Sequence, residues 1–79
     1  MRRKLDKNLV LLGERIRRMR QKCRLSQEKL ALDAGLDRSY VGGIERGERN
    51  ITFRSLCLIA QALKTDVASL TTGLPRNER

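Results

Sequence analysis

Among the side chains of this 79-residue chain that could do chemistry, guanidinium groups are the commonest. Eighteen Lys and Arg against nine Asp and Glu leave a formal net charge of +9, and Arg outnumbers Lys by thirteen to five. A planar guanidinium hydrogen-bonds phosphate oxygens or a guanine edge two atoms at a time, so the chemistry on offer is recognition of a polyanion, with nucleic acid the obvious one. Bond making and breaking are poorly provided for. The chain has no histidine, and its thiols and carboxylates fall at no metal-ligand spacing. A chain this short also builds only one modest core, without room for a deep catalytic cavity. These features predict no enzyme, no metal, no cofactor and no small-molecule ligand. Cys23 and Cys57 read as reduced thiols serving as small hydrophobes in a cytoplasmic protein. Tyr40 and Phe53 are the only aromatic residues, too few for the stacking platforms of RNA-recognition and single-strand-binding modules, which favours duplex DNA. No apolar run reaches membrane-spanning length, so no membrane partner is expected.

Holding such side chains against a duplex requires rigid elements, and residues 25–50, LSQEKLALDAGLDRSYVGGIERGERN, predict two short helices joined by a tight turn. Ser26 and Asp37 are good N-caps, and Gly35 lies between them where a chain leaving a helix needs a left-handed residue. Leu25 ahead of Ser26 would meet Leu30, and Leu36 ahead of Asp37 would meet Val41, a hydrophobic staple at each entry. Leu30, Ala31 and Ala34, then Val41 and Ile44, give each helix one buried stripe, with small Ala31 where the two should cross. Three further helices follow from the same signals. Residues 8–22 carry Leu9, Leu12, Ile16 and Met19 at three- and four-residue intervals. Thr52 caps a helix reaching Leu63, with Ile51 and Leu56 as its staple and Phe53, Leu56, Ile59, Ala60 and Leu63 as its buried stripe. Asp66 caps a short fifth helix, stopped by Gly73 and Pro75, whose Val67 and Leu70 close the core. No strand is predicted. Residues 1–7 read as a basic N-terminal tail, 8–72 as one helix-turn-helix domain, and 73–79 as a solvated C-terminal tail.

The motifs LSQEKLA and IERGERN identify residues 12–70 as similar to the lambda-repressor and Cro-like helix-turn-helix domains, the XRE family. Within it, LDRSYVGGIERGERNITFRSL most resembles the controller proteins that time restriction–modification systems, small stand-alone dimers that bind their own promoter region. The resemblance implies an all-α, five-helix, lambda-repressor-like DNA-binding domain. It further implies that Gln27 binds a backbone phosphate at the positive end of the second helix. The third helix would enter the major groove, with Arg38 and Ser39 at base edges and Arg38 gripping guanine O6 and N7. Arg46, Arg49 and Asn50 would make further backbone contacts. Glu45 would pair internally with Arg20, tying the first helix to the third.

Four positions call for comment on their own chemistry. Gly42 and Gly43 each cost roughly 1 kcal/mol of helix propensity relative to Ala, and groove-facing glycines would let the backbone approach the bases. DNA shape would then carry part of the specificity. Tyr40 lies at the edge of the buried face, where its hydroxyl serves either a phosphate or a purely structural bond. Arg24 stands where relatives often end the first helix with glycine, and left-handed geometry would strain it by about 1 kcal/mol, so that helix is expected to end differently.

One helix-turn-helix covers too few base pairs to select a genomic site, which predicts a homodimer on a roughly palindromic operator. Leu58, Val67, Ser69 and Leu70 of the last two helices are the expected interface. The alternative class is a protein-binding module such as an antitoxin that also regulates its own promoter. Such proteins usually carry an added segment to cover the toxin, and this chain shows only a short basic N-terminus and nine residues after Leu70.

Overall fold

The computed structural model describes residues 4–76, and within them the chain forms five helices and no strand. These are α1 (Lys7–Lys22), α2 (Gln27–Ala34), α3 (Arg38–Glu45), α4 (Phe53–Ala62) and α5 (Val67–Thr71). Each begins on a residue in extended conformation whose side chain accepts a hydrogen bond from an otherwise unpaired N–H of the first turn. Ser26 accepts from Lys29 N at 2.9 Å, Asp37 from Ser39 N at 3.1 Å, Thr52 from Ser55 N at 3.0 Å and Asp66 from Ser69 N at 2.8 Å. Asp6, expected in the N-terminal tail, does the same for α1, accepting from Asn8 N at 2.7 Å and Leu9 N at 3.1 Å. The folded domain therefore starts at that aspartate.

The helix ends share one geometry on two kinds of residue. After α2 and α3 the chain turns through Gly35 (φ 71°) and Gly47 (φ 76°), and the next N–H reaches back to Ala31 O or Gly43 O, both at 2.9 Å. After α1 and α4 it makes the same turn through Arg24 (φ 60°) and Lys64 (φ 57°). Leu25 N then bonds Arg20 O at 3.1 Å and Thr65 N bonds Ala60 O at 2.9 Å. The expectation that α1 would end differently is corrected. Arg24 keeps the left-handed turn because the next residue, Leu25, is held by its N–H, by a 2.8 Å bond from Arg20 Nη1 to its carbonyl, and by packing on the core. Together these outweigh roughly 1–2 kcal/mol of strain.

The apolar stripes meet in one core built from Leu12, Ile16, Leu30, Ala31, Ala34, Val41, Ile44, Leu56, Ile59, Ala60, Leu63 and Leu70. In it α2 packs on α3 and α4, α1 on α3, and α5 bridges α1 and α4. Ala31, at 3% exposure, is the small residue of the α2 crossing. Gly13 allows an even closer approach that the sequence reading missed: a Cβ there would lie 2.3 Å from Ile44 O and 2.7 Å from Glu45 O. The backbone of α1 thus rests on the last carbonyls of α3.

Three other expectations change. Phe53 is 71% exposed, because as the first residue of α4 it projects beyond the core, and the buried stripe begins at Leu56. Leu70 is fully buried, so it closes the core and leaves nothing to offer a second subunit. Residues 73–76 are not a free tail: Leu74 packs against the core, and Arg76 N donates to Asn8 Oδ1 at 2.8 Å. The remainder of both expected tails, 1–3 and 77–79, lies outside the described residues.

Relieving the left-handed strain should stabilise the domain. Arg24→Gly and Lys64→Gly are each expected to raise stability by about 0.5–1 kcal/mol, since strain relief exceeds the added entropy of an unfolded glycine. Urea unfolding of each variant checks this, and a lower midpoint for both would contradict the strain assignment.

Candidate nucleic-acid interface

A buried carboxylate organises this face. Glu45, at the end of α3, has a side chain 2% exposed and meets Arg20 of α1 through Nε–Oε2 at 2.7 Å and Nη2–Oε1 at 3.1 Å. Its Oε1 also accepts from Gln27 Nε2 at 2.9 Å. The same Arg20 holds Leu25 O, at the entrance to α2. One ion pair therefore fastens α1, the start of α2 and the end of α3 to each other, and Gln27 is held by it instead of swinging in solvent. The Gln27 amide has a second N–H besides the one on Glu45, which is what a phosphate at the α2 N-terminus needs.

At the first turn of α3, Arg38 is exposed and its guanidinium has no hydrogen-bond or ion-pair partner among the described residues. Its neighbour Ser39 is committed differently: its hydroxyl donates to Asp37 and its N–H is capped by the same carboxylate. The Ser39 hydroxyl holds the Asp37 carboxyl below its ordinary range, with help from its backbone N–H and, more weakly, from the charge of Arg49. Arg38 is thus the one reading candidate of this turn whose donors are all uncommitted.

Gly42 and Gly43 depart from the sequence reading. Both are buried. A Cβ on Gly42 would stand 3.1 Å from Arg46 Nη1 and 3.4 Å from Gln27 Oε1, and one on Gly43 would stand 2.6 Å from Arg49 Cγ. The absent side chains make room for polar side chains of the same chain, so neither glycine presents open backbone to a base. Tyr40 is tied inward: its hydroxyl accepts from Thr52 N at 3.4 Å, linking α3 to the α4 cap, while Arg49 lies over its ring at 5.5 Å. Arg46, Arg49 and Asn50 are all exposed on the loop between α3 and α4, with Arg46 Nε bonded to Glu48 Oε1 at 3.0 Å. The arrangement puts the Arg38 guanidinium at the exposed first turn of α3, the Arg49 guanidinium over Tyr40 and the Arg46 guanidinium beside Gly42.

Of the residues read as interface, Leu58 and Val67 are half-buried and apolar, and Ser69 is exposed beside the α5 cap. Among the described residues no helix is long and apolar enough to cross a membrane.

A capped α2, a three-residue turn, and an α3 whose first turn is exposed and flanked by arginines define a helix-turn-helix DNA-binding domain. The profile of the helix-turn-helix family matches residues 16–70. The control protein C.SmaI of Serratia marcescens is 47% identical over 62 residues, covering 78% of this chain and 74% of that one. The crystal structure of the restriction–modification controller protein C.AhdI from Aeromonas hydrophila superposes with a TM-score of 0.81 at 46% identity, over 82% of this chain and 98% of that one. The controller C.Esp1396I, bound to a 19 base pair DNA duplex, superposes at 0.77 with 35% identity, over 82% of this chain and 87% of that one. The chain belongs to the helix-turn-helix family of DNA-binding transcription regulators, among the restriction–modification controller proteins.

The split between committed and uncommitted side chains can be measured. Arg38→Ala is expected to cost roughly 1–3 kcal/mol on a selected duplex and little on an unrelated one. Arg46→Ala or Gln27→Ala should weaken both about equally. An unchanged ratio of specific to nonspecific affinity in Arg38→Ala would remove Arg38 as a reader.

Proposed function

We propose that this chain is a sequence-specific regulator of transcription that binds double-stranded DNA in the cytoplasm as a homodimer, on an operator with two inverted half-sites. The observation that carries the reading is the uncommitted Arg38 guanidinium at the N-terminal turn of α3, a turn made rigid by the Asp37 cap and by the Glu45 network at the other end of the helix. In this reading α3 lies in the major groove, Arg38 reads a guanine edge with Ser39 beside it, and Gln27, Arg46, Arg49 and Asn50 bind phosphates on either side. Tyr40 supports that loop from within. Its similarity to restriction–modification controller proteins supports control of such a system as the setting, and we take the promoter region as the target, with DNA and a second copy of the chain as partners.

Dimerisation is assigned to Leu58, Val67 and Ser69, since α4 and α5 pack side by side and leave these two apolar side chains only half covered. C.Esp1396I forms a tetramer on its natural 35 base-pair operator, which supports assembly of a similar chain on DNA. Sedimentation at micromolar concentration is expected to give a dimer that Leu58→Asp dissociates. A monomer insensitive to that substitution would refute the assigned face.

Two copies of α3 presented to one side of B-DNA stand about 34 Å apart, which places half-site centres roughly 10 base pairs apart. Inserting half a helical turn between the half-sites should reduce affinity to near that of one half-site, while a single added base pair is partly absorbed by DNA deformation. Binding measured across a series of spacers tests symmetry and groove placement together. Affinity independent of spacing would sink the operator model.

A further inference from the structure

Gly43 sits in a helix interior where alanine would be the better helix former, and what covers it is Arg49 from the loop beyond α3. A Cβ on Gly43 would lie 2.6 Å from Arg49 Cγ, 3.3 Å from Nε and 3.5 Å from Cδ. The guanidinium carbon stands 5.5 Å from the centroid of Tyr40, which is one helical turn nearer the N-terminus of α3, and its charge still reaches Asp37. Positions 43, 40 and 37 share one face of the helix. Arg49 therefore lies back along α3, with its stem over the glycine, its head on the ring and its charge directed toward the first turn. On the neighbouring face, Gly42 is covered by Arg46 and Gln27.

We infer that Gly43 is a positioning residue, the seat that lets Arg49 lie along α3 on Tyr40 and so presents its guanidinium to the DNA backbone on the α4 side of the groove that Arg38 reads. This rests on the DNA-reading role proposed for α3. A long arginine free in solvent must give up its rotamer freedom when it meets a phosphate, whereas one already confined between a seat and an aromatic ring has less to lose. A methyl group at position 43 would leave the helix intact and lift the Arg49 stem off its seat.

The test measures Kd by fluorescence anisotropy on a duplex recovered by selection and on an unrelated duplex. The proteins are wild type, Gly43→Ala, Arg49→Ala, the double variant, and Arg38→Ala as a control. Gly43→Ala is expected to melt no lower than wild type and to raise Kd by roughly three- to tenfold on both duplexes. Arg49→Ala should raise it at least as much, and the double variant should be no worse than Arg49→Ala alone. Wild-type or tighter binding by Gly43→Ala, or losses that multiply in the double variant, would overturn the positioning role while leaving Arg49 on the DNA. Unchanged binding by Arg49→Ala alone removes the contact and the seat together. Unchanged binding by both Arg38→Ala and Arg49→Ala refutes the reading of α3 itself. Should Gly43→Ala melt well below wild type, Tyr40→Leu removes the platform from the other end, and its loss must likewise vanish in the Arg49→Ala background.

Discussion

The carboxylate of Glu45 is buried, and the relative placement of α1, α2 and α3 on the DNA face depends on how it is satisfied. An ionised carboxylate taken out of water costs several kcal/mol unless it is paired and hydrogen-bonded. Here two Arg20 bonds and one from Gln27 meet that demand. The pair adds little net stability over a well-packed apolar substitute, but removing either partner alone would strand a charge at a cost of about 3–5 kcal/mol. Its main effect is geometric. The carboxylate can be satisfied only when α1, the entrance of α2 and the end of α3 stand in one relative position, and that position exposes the first turn of α3.

Close backbone approach is the second constraint, and a small core makes it necessary. With twelve buried apolar residues among those described to share among five helices, helices that stood further apart would leave voids between short side chains. Gly13 removes the spacing atom between α1 and α3, and Gly47 does the same where its missing Cβ would meet Val10 at 2.6 Å. The five N-caps add stability that the core cannot, at about 1 kcal/mol each. They also hold the first turns rigid, among them those that carry Gln27 and Arg38.

Magnitudes explain how the same surface serves both the free protein and the complex. The Arg46–Glu48 pair is well exposed, 60% and 49% at the side chains, and pairs of that kind contribute 0–1 kcal/mol. In the proposed complex a phosphate would therefore take Arg46 at little cost, and each such exchange would release counterions from the duplex. The Arg20–Glu45 pair, 12% and 2% exposed, is not available for such exchange. Burial thus separates Arg20, which builds the domain, from Arg46, which stays accessible on the surface.

The helices, four of their five caps and the class of partner were legible in the sequence, because each depends on local chemistry. Ser26, Asp37, Thr52 and Asp66 cap for reasons contained within three residues, apolar spacing reports a buried face, and an excess of arginine reports a polyanion. What depends on distant atoms was not legible. Phe53 sits on the apolar side of α4 by periodicity, yet only the extent of the neighbouring helices leaves it in solvent. Leu70 is buried by α1 and α4, and Arg24 keeps its left-handed turn because Arg20 and the core hold the next residue. The two glycines of α3 show the division most clearly. Their cost in helix propensity marked them as unusual from the sequence alone. Whether the empty space faced a base or a side chain of the same molecule was decided by where Gln27, Arg46 and Arg49 come to rest, since a glycine specifies only that no atom stands there and the fold determines what fills the place.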